Sequence, residues 1–240
     1  VGLTRYGFFH EASLELHRGE ILGICGLNGA GRSELARSAC GIDPLDDGAV
    51  ILDGEDITPR DYPDAVRKGL VYLPEDRKNE GLALRLTMGD NILSAIIPRH
   101  CSCGVYRAGP GRRIVGDMIA SLGISPPEPG REMMNFSGGN QQKGLLAKWL
   151  ATEPKVLILD EPTRGVDVNA KAVIHRAIAD IADRGRGIIL ISSDLPELVG
   201  LSDRVVILRQ GRIIGEAGRD RCTEERLLLA ANGEGELLSA

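Results

Sequence analysis

No segment of this chain approaches the ~18 uninterrupted apolar residues that a membrane-spanning helix requires. Its first residues also lack the basic-then-apolar pattern of a secretory signal. There is no basic excess. Net charge is −5 over 240 residues, which argues against electrostatic capture of nucleic acid, normally the work of a basic patch. Nor is there a disulfide frame. The cysteines, at 25, 40, 101, 103 and 222, are scattered, and three of them lie in or beside apolar segments, which reads as reduced thiols in a cytosolic compartment. Cys101-Ser102-Cys103 is the one close pair, and no second Cys or His pair at zinc spacing accompanies it. No internal repeat is visible. An initiator Met is missing as well: the chain opens on Val1, as expected of a piece of a longer polypeptide.

What is present is ordinary globular material, 42% apolar and 26% charged, enough for one α/β domain or for a core with a small subdomain. Residues 1–10 carry no decisive pattern. Ser13–Leu16 alternates as a short strand, and Ile21–Cys25 is a continuous apolar run expected of a buried strand. A helical pattern follows from Ser33 to Cys40. Ala49–Leu52 reads as a strand, Pro63 opens a short helix ending near Gly69, Leu70–Leu73 is a strand, and Pro74–Lys78 a polar exit loop. From about Leu84 to Leu150 strand patterns give way to helical ones, at Met88–Ile97, at about Arg112–Leu122, and from Gly138 to Leu150. Pro126, Pro127 and Pro129 impose an extended linker between the last two. The α/β rhythm then returns, with strands at Val156–Leu159, Gly187–Ile191 and Arg204–Leu208, and helices at Val168–Asp183, Leu195–Leu201 and Thr223–Ala230. Gln210-Gly211 turns into a further strand, Arg212–Gly215. Such alternation predicts a mostly parallel sheet covered on both faces.

Three stretches carry chemistry. Gly26-Leu27-Asn28-Gly29-Ala30-Gly31-Arg32-Ser33 lies between an apolar strand and a helix, the context in which a glycine loop cradles phosphate with its backbone N–H groups. Ser33 suits Mg²⁺ through its hydroxyl. Arg32 stands where the G-x-x-x-x-G-K-[ST] pattern has Lys. Val156-Leu157-Ile158-Leu159-Asp160-Glu161 delivers two carboxylates to the end of a buried strand: Asp160 to hold Mg²⁺ directly or through water, Glu161 to polarise an attacking water as general base. The bland alternative is two solvated acids, and Pro162-Thr163 directly afterwards weighs against it. Ser137-Gly138-Gly139-Asn140-Gln141-Gln142-Lys143 places a Ser cap and two glycines at a helix start, either a structural cap or a second anion site. One nucleotide does not easily use both loops; a head-to-tail partner could bring them together.

Taken together, these stretches resemble the ATP-binding domain of an ABC transporter, across essentially the whole chain. With Pro74-Glu75-Asp76-Arg77-Lys78, Asp160-Glu161-Pro162-Thr163-Arg164-Gly165-Val166-Asp167-Val168 and Ser192-Ser193-Asp194-Leu195-Pro196-Glu197, the pattern is similar to the second of two fused ATPase domains in bacterial monosaccharide importers (ribose, xylose, galactose, arabinose). The resemblance implies a P-loop NTPase with a RecA-like core at residues 1–83 and 151–231, an antiparallel β portion, a helical signature subdomain at 84–150 and a tail at 232–240. It implies ATP and Mg²⁺ as cofactors. Gly26, Asn28, Gly29, Ala30, Gly31, Arg32 and Ser33 would bind nucleotide, with Ser33 and Asp160 on the metal and Glu161 catalytic. Ser137, Gly138, Gly139, Asn140 and Gln141 would act in trans, Asp167 would lie near the dimer seam, and Tyr6 is the candidate for stacking on adenine. Implied partners are another ATP-binding domain, fused N-terminally in the full polypeptide, membrane permease subunits and, indirectly, a periplasmic sugar-binding protein, with no nucleic acid. The implied place is the cytoplasmic face of the bacterial inner membrane, held peripherally.

Three positions depart from the general ABC pattern. Arg32 replaces Lys and brings a planar fork in place of a compact ammonium. Glu75 replaces the usual Gln, and Ser193 stands where a His contacts the γ-phosphate and reaches less far. These departures are typical of the second domain in monosaccharide importers. They predict a degenerate site of its own beside an intact signature that completes the partner's site. The alternative is a non-hydrolysing half that binds nucleotide for structure or regulation. A non-transport ABC ATPase acting on ribosomes or DNA is disfavoured by the acidic balance.

Overall fold

Apolar runs too short for helices and flanked by turn residues become the central strands. A computed structural model describes residues 1–97, 101–102, 105–106 and 108–234. Its main sheet has six strands: β3 (Ile21–Cys25), β6 (Leu70–Leu73), β9 (Val156–Asp160), β10 (Gly187–Ile191), β11 (Arg204–Arg209) and β12 (Arg212–Gly218), in the order β12-β11-β3-β10-β9-β6. β11, β3, β10 and β9 run parallel, and β12 is antiparallel to β11. Every residue of β3, β6 and β10 is buried, which is why these segments read as continuous rather than alternating hydrophobicity. Burying Leu22, Leu157, Leu159 and Leu190 completely stabilises the sheet by roughly 1.5–3 kcal/mol per side chain. Gln210 and Gly211 both take positive φ, 48° and 74°, as a two-residue hairpin loop demands.

The smaller antiparallel pieces are β1 (Leu3–Arg5) with β2 (Phe9–Ala12), and β4 (Ile51–Leu52) with β5 (Glu55–Asp56). Here the sequence expectation needs correcting. Ser13–Leu16 is not a strand. Its alternation records Leu14 and Leu16 packing on the core from an irregular segment, while the pairing belongs to residues 3–12. The strand expected at Ala49–Leu52 is only Ile51–Leu52, closed by the Asp53-Gly54 turn.

Helices α1 (Arg32–Ala39), α2 (Tyr62–Lys68), α6 (Val168–Asp183), α7 (Leu195–Leu201) and α8 (Glu224–Asn232) alternate with the strands. Asp61 caps α2 by accepting from the Asp64 N–H at 2.7 Å, and Gly69 ends it at φ 92°, as Gly does readily at a left-handed C-terminal position. Between β6 and β9 lie α3 (Met88–Ser94), α4 (Ala108–Ser121) and α5 (Gly138–Leu150). Thr87 and Asp90 form a reciprocal capping box at α3. Met88, Ile92, Met133 and Leu145 are fully buried among these helices, and Trp149 on α5 is buried too. Two features depart from the helical reading of this stretch: β7 (Cys101–Ser102) pairs antiparallel with β8 (Val105–Tyr106), and the exit loop after β6 tightens into a π turn at Arg77–Gly81. Cys103 and the end of the tail, 235–240, lie outside the described residues.

By packing, the chain divides into two compact units. One comprises Val1–Tyr72, Lys155–Glu161 and the stretch from Ala179 onward; the other comprises Leu73–Pro154 and Pro162–Ile178. Among the described residues no helix is long and apolar enough to cross a membrane.

Candidate functional site

In the first unit, three loops leave the carboxyl ends of parallel strands at one edge of the sheet, the usual place for a ligand in such sheets. The glycine loop follows β3, Asp160-Glu161 closes β9, and Ser192-Ser193 follows β10. The sequence placed the carboxylates beside the glycine loop. In the sheet, β10 intervenes between β3 and β9, so residues 192–193, in the loop that follows β10, come between the glycine loop and the carboxylates. Gly31 caps α1 at φ 100° with no side-chain cap, leaving the first N–H groups of the helix available to an anion. A side chain at Gly31 would be strained at that φ and would meet the Phe8 carbonyl at 2.9 Å.

Arg32 is buried within this cluster. Its Nη1 donates to the Ser192 carbonyl at 3.0 Å, and its Nη2 lies 3.9 Å from Glu161 Oε1. Asp160 is 1% exposed. Its Oδ2 accepts from the Tyr72 hydroxyl at 2.7 Å, while Oδ1 is buried without a hydrogen-bond partner. Burial raises the Asp160 pKa, opposed by hydrogen bonding from Ser33 and Tyr72 and by the charge of Arg32. A buried carboxylate oxygen with an open lone pair and a Ser hydroxyl beside it fits a divalent cation that takes its other ligands from phosphate and water. Among the described residues no cluster of three or more His, Cys, Asp or Glu side chains forms an all-protein cage.

Glu161 sits at φ 49°, a left-handed conformation uncommon for a non-glycine residue and one that concentrates at functional sites. Its N–H donates to the Ile191 carbonyl at 2.8 Å, and its Oε2 accepts from Ser193 Oγ at 3.0 Å. Burial raises its pKa, and Ser193 and Arg32 pull it back. Ser192 is wholly buried; its Oγ donates to Glu197 Oε2 at 2.6 Å.

In the second unit, Ser137 caps α5. Its Oγ accepts from the Asn140 side chain at 3.0 Å and from the Asn140 N–H at 3.4 Å. Asn140 is also tied to Ser125 through both ends of its side-chain amide, Oδ1 accepting from the Ser125 N–H and Nδ2 donating to the Ser125 carbonyl. Gln141 is buried and donates to the carbonyls of Met133 and Phe136. A Cβ on Gly139 would collide with the Ala170 Cβ, so that position takes only glycine. Asp167 accepts from the Ala170 N–H at 2.9 Å. Glu75 pairs with Arg164.

A family model described as "ABC transporter" matches residues 9–164, more than half of the chain. The chain belongs to the ABC transporter family. This ABC protein is 44% identical to a putative ribose/galactose/methyl galactoside import ATP-binding protein of Pseudomonas fluorescens, over 95% of the chain and 44% of the relative. It is 45% identical to a ribose import ATP-binding protein of Rubrobacter xylanophilus, over 97% of the chain and 45% of the relative. The chain thus spans about half the length of the curated relatives it matches. Among solved structures, a nucleotide-free ATP-binding cassette from an ABC transporter superposes with a TM-score of 0.79 at 20% identity, covering 98% of this chain and 94% of that one. A cassette in its ADP conformation gives 0.78 at 21%, covering 96% and 92%.

The ABC chain therefore gathers Gly26–Ser33, Asp160, Glu161 and Ser193 in one unit, and Glu75, Ser137–Gln141 and Asp167 in the other. Tyr6 is 70% exposed in the turn between β1 and β2, and the neighbouring Phe8 ring carries the Arg5 guanidinium 4.2 Å from its centroid. The sequence reading missed Tyr72, which orients Asp160, and Glu197, which anchors Ser192. The signal for Tyr72 was available: a Tyr in a fully buried strand needs a partner for its hydroxyl. Nothing in the sequence separates Glu197 from a solvated helix acid.

Proposed function

We propose that this chain is a nucleotide-binding domain of a bacterial importer for a monosaccharide or similar small solute, coupling ATP binding and hydrolysis to transport. The observation that carries the reading is the buried constellation of Asp160, Glu161 and Arg32 at the strand ends beside the glycine loop. The names of the relatives supply the solute class. Gly26, Asn28, Gly29, Ala30 and Gly31 present backbone donors to the phosphates, and Arg32 supplies the positive charge. Ser33 and Asp160 would hold Mg²⁺, which would neutralise charge on phosphate oxygens. Glu161 takes a proton from the attacking water, and burial, by raising its pKa, makes it a stronger base. Ser137, Gly138 and Gly139 complete the site of a partner ATP-binding domain, and Asp167 borders that contact. Permease subunits hold the assembly at the cytoplasmic face of the inner membrane, and a periplasmic binding protein delivers the solute. The boundaries we assign by function, a RecA-like core at 1–83 and 151–231 and a signature subdomain at 84–150, differ from the packing units, which group residues 73–83 and 162–178 with the helical stretch.

A second reading, a non-hydrolysing half, is favoured by one specific contact. Arg32 is engaged with Glu161 and Ser192, so nucleotide phosphate must compete for it. The two readings separate in the assembled transporter. With Glu161→Gln, hydrolysis by this chain predicts a fall in solute uptake of roughly 100-fold with ATP binding retained; uptake at the wild-type rate would assign this site to the second reading. Ser137→Ala tests the role in trans, and turnover should fall in that variant whichever reading of Glu161 holds.

A further inference from the structure

Arg77 has the sequence appearance of a solvated loop residue, and its surroundings say otherwise. It opens the π turn Arg77–Gly81, a rare conformation that concentrates at functional positions. Asp76 fixes the start of that turn by accepting from the Lys78 and Asn79 N–H groups, each at 3.1 Å. The Arg77 guanidinium donates through Nη1 to the Arg164 carbonyl at 3.0 Å and through Nη2 to the Gly165 carbonyl at 3.5 Å. It also occupies the space a side chain would need at Gly138, where a Cβ would fall 2.9 Å from Nη2. At the far end of the turn, Lys148 of α5 donates to the Gly81 carbonyl at 2.9 Å, and a Cβ on Gly81 would meet Leu145 of α5 at 3.0 Å. The turn is thus fastened to the carbonyls at 164–165 at one end, where Arg77 packs beside Gly138, and to α5 at the other. Arg77 keeps this place at the expense of solvation: Nε is buried without a partner, and desolvation lowers the pKa.

We propose that Arg77 is a positioning residue. Its fork fixes the Ser137–Gly139 loop against the loop following Glu161, in the geometry needed to meet a nucleotide held by another domain. This rests on the reading that Ser137–Gly139 serves a partner's site. A side chain at Gly138 would push the Arg77 guanidinium aside, and both carbonyls are needed to aim it. A single ammonium does not span them.

The test uses the full ATP-binding polypeptide assembled with its membrane subunits. Arg77→Gln, Arg77→Lys and Ser137→Ala are compared for kcat and KM for ATP, for photo-crosslinking of 8-azido-ATP to this chain's own glycine loop, and for melting temperature. Arg77→Gln should lower kcat at least about tenfold, the usual effect of removing an orienting partner behind a site, with KM, crosslinking and melting temperature unchanged. Arg77→Lys should not restore the rate. If Ser137→Ala slows turnover while Arg77→Gln runs at the wild-type rate, the proposal is overturned and the reading of the trans site stands. If Ser137→Ala has no effect, that reading falls and the proposal with it. A loss of crosslinking or melting temperature in step with kcat would make Arg77 a scaffold residue and overturn the proposal, as would full activity with Lys.

Discussion

Glu161 has to be buried and still ionise. Desolvation raises its pKa above the ordinary glutamate value, while Ser193 and Arg32 favour the charged form. Ser193 donates to the carboxylate, so it stabilises the deprotonated state. Removing that bond must move the pKa up, not down. Ser193→Ala is therefore expected to shift the Glu161 titration to higher pH, read from the ¹³C shift of its side-chain carboxyl; an unchanged or lower midpoint would refute the assignment. A Ser at this position, where the wider family pattern has His, thus favours the ionised form of Glu161 rather than bringing a charge of its own.

At the level of elements, caps and periodicity carried most of the information. The capping box at Thr87 and Asp90 joins a helix start to the packed interior at Met88 and Ile92. Thr87→Ala should lower the unfolding free energy by about 1 kcal/mol in urea titration. An exposed substitution such as Arg113→Ala on α4 should stay within about 0.5 kcal/mol of wild type. The strands Ile21–Cys25 and Gly187–Ile191 and the helices Val168–Asp183 and Leu195–Leu201 were legible because apolar spacing there follows burial directly. Ser13–Leu16 misled because two leucines anchored in an irregular segment imitate strand alternation. The glycine loop and the Asp-Glu pair were placed correctly at strand ends because each follows a continuous buried apolar run. Tyr72 and Arg77 act through contacts made across long stretches of chain, to Asp160 and to the Arg164 carbonyl; the buried strand hinted at a partner for the Tyr72 hydroxyl, whereas no local pattern assigned a role to Arg77 or Glu197.

For the molecule as a whole, the two phosphate-type elements lie in separate packing units, and the chain spans about half of its relatives. Mixing it with a partner ATP-binding domain should raise ATP turnover above the sum of the separate rates; strictly additive rates would count against a shared site. The buried thiols offer a way to watch nucleotide binding without turnover. Cys25 immediately precedes the glycine loop, and burial pushes its pKa up to about 11; Cys40 is fully enclosed, and Cys222 is buried as well. None of the three should react with a thiol reagent until the fold opens. With Cys101 and Cys103 replaced by Ser, alkylation becomes a clock for that opening. A nucleotide that binds only the closed form should slow the clock roughly 100-fold at a concentration about 100 times its Kd, and this protein's affinity for ATP could then be timed through sulfur atoms that never touch it.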